Sequence, residues 1–95
     1  MAKVKIIWSD RALKDIEKII NYIAEDSEFF AINFASKIIN TVEILKDFPK
    51  TGRIVPEYRD PKIREILYRN YRIVYKNENN IVEIITIFHG SKLLG

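Results

Sequence analysis

Cysteine is absent from this chain of 95 residues, which has only three glycines, three prolines and one histidine. Without cysteine there is no disulfide and no zinc site built on thiolates, and the composition fits a reducing compartment. The glycines, at 52, 90 and 95, are too few and too scattered for a phosphate-cradling loop. No H-E-x-x-H metal motif and no G-x-S-x-G nucleophile elbow occurs. No apolar run approaches the roughly 18 residues that a membrane span needs. The apolar stretch after Lys3 and Lys5 is too short for a secretory signal, and no A-x-A cleavage site follows it. These gaps lead to a cytoplasmic protein with no metal, no cofactor and no membrane partner. The length points to one domain over residues 1–95 and excludes a separate cofactor-binding fold.

What is present is an ordinary globular mixture, 47% apolar and 31% charged, with a net charge of +3. The charge is uneven. Residues 50–76 hold eight basic and three acidic side chains, and five of the six arginines lie between 53 and 72. The segments before and after are each slightly acidic. Clustered arginine fits an anionic partner, and it equally fits a solvated sheet face.

Periodicity sets the expected elements. Residues 4–8 are rich in β-branched side chains and predict a strand. Ser9 is an N-cap candidate, and Ala12, Leu13, Ile16, Ile19, Ile20 and Ile23 recur at helical spacing over 10–25, with Lys14 and Asp15 on the polar side. Ser27 caps a second helix predicted over 28–48, whose inner stripe is Ala31, Phe34, Ala35, Ile38, Val42 and Leu45. Pro49 stops it. The short connection makes the two helices an antiparallel hairpin. Residues 50–61 read as a loop. Strands follow at 62–69, 71–76 and 81–89, joined by a tight turn at Asn70 and a loop at 77–80. The last strand is almost continuously apolar, which suits a position covered on both faces. The sum is an α+β domain of order β-α-α-β-β-β: an antiparallel-rich, four-stranded sheet with the helical hairpin on one face.

Few residues can do chemistry. His89 is the one side chain that titrates near neutrality in its unperturbed state, so it is the candidate general acid or base. A strand-end histidine bonded to the backbone is the plainer reading. Metal-independent cleavage of RNA would also need cations on the phosphate, and Arg64 and Arg72 sit on adjacent predicted strands. The second helix carries more apolar side chains than one buried stripe requires. Phe29, Phe30, Ile32, Ile39 and Ile44 lie partly off it, either packed within the domain or facing a partner.

Several segments in series resemble the RelE/ParE toxin superfamily, which includes plasmid-stabilisation toxins. They are W-S-D-R-A-L-K-D-I from Trp8 with N-Y-I from Asn21, F-P-K-T-G-R-I-V-P-E from Phe48, I-R-E-I from Ile63, Y-R-I-V-Y from Tyr71 and I-I-T-I-F-H-G from Ile84. The loop from Phe48 and the I-R-E strand favour the ParE-like branch. The resemblance implies a toxin of a type II toxin–antitoxin system, inhibiting DNA gyrase by binding and neutralised by a cognate antitoxin, with which it would form a hetero-oligomer. The RelE-like alternative is an endoribonuclease acting on mRNA at the ribosome, with His89, Arg64 and Arg72 catalytic. A degenerate toxin that only binds its antitoxin is a third possibility. Expected target contacts are Lys50, Arg53, Arg64, Arg72 and Lys92. The last stands where many ParE-like chains carry arginine, which keeps the charge and loses the bidentate fork. Expected antitoxin contacts are Phe30, Ile32, Ile39, Ile84 and Phe88.

Overall fold

The computed structural model describes residues 3–90. The chain runs through β1 (Lys5–Trp8), α1 (Asp10–Ala24), α2 (Glu28–Glu43), a 3-10 turn (Ile44–Lys46), β2 (Arg53–Ile54), β3 (Ile63–Tyr68), β4 (Tyr71–Glu78) and β5 (Ile81–His89). The strands form one sheet in the order β1-β5-β4-β3-β2. β1 lies parallel to β5, and every other pair is antiparallel. The expected α+β layout is present with one strand more than the sequence predicted. Arg53 and Ile54, inside the predicted loop, pair with Glu65 and Arg64. Two residues of β-ladder are too short to carry a period-two signal, so no pattern marked them.

The helix starts follow local chemistry. The Ser9 hydroxyl accepts from Ala12 N at 3.0 Å, and the Ser27 hydroxyl accepts from Phe30 N at 3.2 Å, each satisfying an orphan amide of a first turn. α2 ends earlier than expected, tightening into the 3-10 turn before Pro49. The second hairpin is also tighter than predicted. Asn79 and Asn80 both adopt left-handed backbone, at φ 55° and 60°, which makes a two-residue turn and lengthens β4 to Glu78.

The core lies between the helical hairpin and one sheet face. Ala12, Phe34, Ile38, Val42 and Leu45 meet Ile73, Tyr75, Val82, Ile84 and Ile87 there. Ile84 and Ile87 are three residues apart, so strict alternation would put them on opposite faces. A bulge solves this. The register shifts between Val74 and Tyr75, leaving Ile73 opposite Ile87 and Tyr75 opposite Ile84.

β1 stops at Trp8, opposite Ile84, so the far half of β5 has no strand on that side. α1 covers it instead. The Ser9 hydroxyl donates to Ile85 O at 2.8 Å. The Asp15 carboxylate accepts from the Thr86 hydroxyl at 2.5 Å and from Ile87 N at 3.2 Å. Asp15, which the helical pattern assigns to solvent, therefore closes a strand edge. Replacing Asp15 by Ala should destabilise the domain by about 1–3 kcal/mol, because a buried hydroxyl and a strand amide lose their acceptor. Urea unfolding checks this, and a change no larger than that of a surface control such as Lys14→Ala would contradict it.

Candidate functional site

Register decides which charged side chains meet. Arg53 lies opposite Glu65, Leu67 opposite Arg72, and Arg72 opposite Phe88. Arg53, Glu65, Arg72 and Phe88 thus share the sheet face turned away from the helices. Glu65 is fully buried there and holds two guanidinium groups. Arg53 Nε donates to its Oε2 and Arg72 Nε to its Oε1, each at 2.5 Å. The other edge of Arg72 forms a fork with Glu57, Nη1 to Oε2 at 3.1 Å and Nη2 to Oε1 at 3.2 Å. The Arg72 guanidinium also lies 5.1 Å from the Phe88 ring centroid. Two carboxylates and two guanidinium groups make a network with no net charge.

The electrostatics follow the contacts. The hydrogen bond from Arg72 holds the Glu57 carboxyl below its usual 4.5, helped by the positive charge of Arg72 and Arg53. Glu57 in turn pushes the Arg72 guanidinium up, against the opposing effect of burial and together with Glu65.

A second set of bonds fixes the loop that carries Arg53. The Tyr75 hydroxyl donates to Pro49 O at 2.8 Å and accepts from Gly52 N at 3.0 Å. Burial pushes this phenol up. A Cβ at position 52 would come within 2.6 Å of both Glu65 O and the Tyr75 hydroxyl, so only glycine fits. Arg64, on the opposite side of the sheet from Arg72, donates to Gly52 O at 2.8 Å and to Lys50 O at 3.4 Å.

The expected site residues therefore fall into separate groups. Arg64 lies opposite Tyr75, whereas His89 lies opposite Tyr71, four residues along β4 and so roughly 13 Å away. Arg64 and Arg72 point to opposite faces. The three groups named for phosphate cleavage do not converge. His89 and Arg72 both line a shallow cavity at the end of the sheet, and the His89 ring meets Tyr71 edge-on at 5.5 Å. Among the expected target contacts, Lys50 and Arg64 have no carboxylate partner among the described residues, whereas Arg53 and Arg72 do. Lys92 lies outside the described residues.

The apolar expectation needs one correction. Phe30, Ile32 and Ile39 are exposed on α2, together with Phe29. Ile84 is not at the surface, because the bulge turns it into the core, where it is 0% exposed. Phe88 is half-buried beneath Arg72. Sequence reasoning missed Glu57 and Glu65 as partners of the arginines. Alternation sends Glu65 to the face opposite Arg64, but nothing local indicated that it would be buried.

A model of the ParE toxin family, described as the ParE toxin of the type II parDE toxin–antitoxin system, matches residues 6–94. Toxin RelE2 of Caulobacter vibrioides is 28% identical over 90 residues, covering 94% of this chain and 98% of that protein. Y4kP of Sinorhizobium fredii, a candidate toxin by name, is 31% identical over 92 residues, covering 95% and 92%. Among solved structures, a chain of a chromosomal ParDE system from P. aeruginosa superposes with TM-score 0.75 at 19% identity, over 92% of this chain and 96% of that one. A chain of the RelBE2 toxin–antitoxin complex from Mycobacterium tuberculosis gives 0.58 at 18% identity, over 92% and 98%.

Two outcomes test the network. Glu65→Ala should cost about 3–5 kcal/mol in urea unfolding, because it strands buried Arg72 without one of its partners. Arg53→Ala should cost about 1 kcal/mol or less, since that side chain is 63% exposed. Equal costs would contradict this reading. Glu57 is the acid-sensitive member. Its carboxyl titrates lower in the folded chain than unfolded, so its contribution is complete above the ordinary value of 4.5 and is lost as pH falls through the lower folded value. Glu57→Gln should therefore flatten the acid limb of the stability profile, and an unchanged limb would refute the assignment.

Proposed function

This chain belongs to the ParE toxin family of type II toxin–antitoxin systems, and from that membership we propose that it inhibits DNA gyrase by binding. It is a toxin of the ParE/RelE superfamily. One observation carries the choice of a binder over a nuclease. The side chains needed for phosphate cleavage are split between two sheet faces, and Arg72 already satisfies two carboxylates. Cleavage by general acid–base chemistry needs its groups converging on one phosphate. Binding has no such requirement.

In this reading the target contacts are the cations without a carboxylate partner. Lys50 and Arg64 lead: Lys50 lies in the loop pinned by Tyr75, and Arg64, on β3, bonds that loop's backbone. Arg53 contributes its exposed side, and Lys92 follows the last strand. Arg72 takes a positioning role, holding Glu57 and with it the loop. The antitoxin is the second partner. The ParDE and RelBE2 neighbours come from toxin–antitoxin systems, which supports a cognate antitoxin here. Phe30, Ile32 and Ile39, with Phe29, offer it an apolar surface on α2.

The ribosome-dependent nuclease remains the second reading, favoured by the likeness to Toxin RelE2 and by His89 beside a cationic cavity. A supercoiling assay with purified gyrase separates the two. The wild-type chain should inhibit supercoiling, a Lys50→Glu/Arg64→Gln variant should lose most of that inhibition, and His89→Ala should keep it. Unchanged supercoiling at high toxin excess, with mRNA cleavage in cells that His89→Ala abolishes, would establish the nuclease instead. If induction arrests no growth and the antitoxin still binds, the chain is a degenerate toxin.

A further inference from the structure

The chain between α2 and β2 sets apolar side chains beside cations that no carboxylate neutralises. Phe48 follows the 3-10 turn, where its amide donates to Ile44 O at 3.0 Å, and it is 65% exposed. Ile44, one turn earlier, is exposed as well. Ile54, on β2, is 43% exposed and lies opposite Arg64, so these two share one sheet face. The backbone between Phe48 and Ile54 is held. Thr51 N donates to Phe48 O at 3.1 Å, and the Tyr75 hydroxyl ties Pro49 to Gly52. Single exposed apolar residues are ordinary on a surface, but three on one braced segment make a patch. Phe29 and Phe30, offered above to the antitoxin, lie at the other end of α2, about 24 Å of helix away.

The charges of the patch are open on one side. Nη1 of Arg64 is occupied by the carbonyl oxygens of Lys50 and Gly52. Its Nε and Nη2 have no partner among the described residues, and together they present the edge that fits a carboxylate. Lys50 adds a second cation. The acids just before the loop are engaged elsewhere, Glu43 by Lys46 and Asp47 by Lys3.

Magnitudes decide which anion this arrangement suits. Lys50 and the free edge of Arg64 would neutralise about two phosphates, against the roughly six to ten of a protein that holds DNA by charge. Exposed phenylalanine and isoleucine add nothing to a phosphate track. At a protein interface the weights reverse, because buried aromatic and arginine anchors carry most of the binding. We propose that Phe48 and Ile54 are anchor residues of the target interface, and that this patch docks on an acidic, apolar protein surface of gyrase rather than on its DNA, which rests on the gyrase reading above. Arg64 receives a carboxylate of that surface, Lys50 lies against a second, and Phe48 and Ile54 are covered between them.

The test is a fluorescence titration of the labelled full chain with purified gyrase free of DNA, and separately with a short linear duplex, alongside the supercoiling assay. The wild-type chain should bind DNA-free gyrase saturably and the duplex far more weakly. Phe48→Ser and Ile54→Ser, both at exposed positions and checked for folding by circular dichroism, should each weaken gyrase binding about tenfold or more. Lys50→Gln should weaken it chiefly at low salt. Leu13→Ser removes a comparably exposed side chain on α1 and should change nothing. Equal affinity for the duplex, binding to gyrase only when DNA is present, or equal losses from Leu13→Ser would overturn the proposal. So would full supercoiling inhibition by Phe48→Ser and Ile54→Ser, and the gyrase reading would then still stand. A wild-type chain that neither binds gyrase nor inhibits supercoiling defeats that reading itself, and the docking surface with it.

Discussion

The guanidinium of Arg72 joins segments that are far apart in the chain. It stands on β4, bonds Glu65 on β3, and forks onto Glu57 in the loop after β2. Through Glu65 it is linked to Arg53 on β2 itself. A buried carboxylate between two arginines is tolerable only when its charge and its lone pairs are matched. Here they are, and the match fixes where the loop over 50–61 can lie. The two-residue strand β2 could not hold that loop alone. It is braced on one face by the charged network and on the other by Tyr75 and Arg64, which hold the loop backbone.

That arrangement changes what the cluster of arginines means. Sequence charge suggested one open positive face. The fold divides it. Arg53 and Arg72 spend their charge inside the network, so the positive potential left for a partner comes from Lys50, Arg64 and Arg69, with Arg59 on the loop. These are set by backbone rather than by carboxylates. Arg64 bonds two carbonyl oxygens, and Arg59 and Arg69 both sit in left-handed backbone. Meanwhile the helical hairpin leaves Phe29, Phe30 and Ile32 exposed at the N-terminal half of α2. Two surfaces of different character suit the two partners proposed above, a target and a neutralising antitoxin.

Legibility in the sequence followed the range of the interaction. Elements specified by near neighbours were readable. The caps at Ser9 and Ser27 and the inner stripe of α2 rest on contacts within a turn or two, and the structure has them as expected. Features that depend on pairing across the sheet were not. The bulge that buries Ile84, the acceptor role of Asp15 and the burial of Glu65 each need a strand or helix distant in sequence. The candidate site suffered most, since it was assembled from cations on adjacent strands without the alternation that sends Arg64 and Arg72 to opposite faces.

Whether Arg72 is internal glue or a target contact is the question on which the account turns. The direct measurement is gyrase inhibition by a Glu65→Leu/Arg72→Met variant, shown by circular dichroism and urea unfolding to be folded. Apolar side chains of similar volume replace the buried pair, and the two partners left behind, Arg53 and Glu57, are exposed to water. The account predicts a half-inhibitory concentration close to that of the wild-type chain. A folded double variant that no longer inhibits gyrase would contradict it and return Arg72 to the target surface.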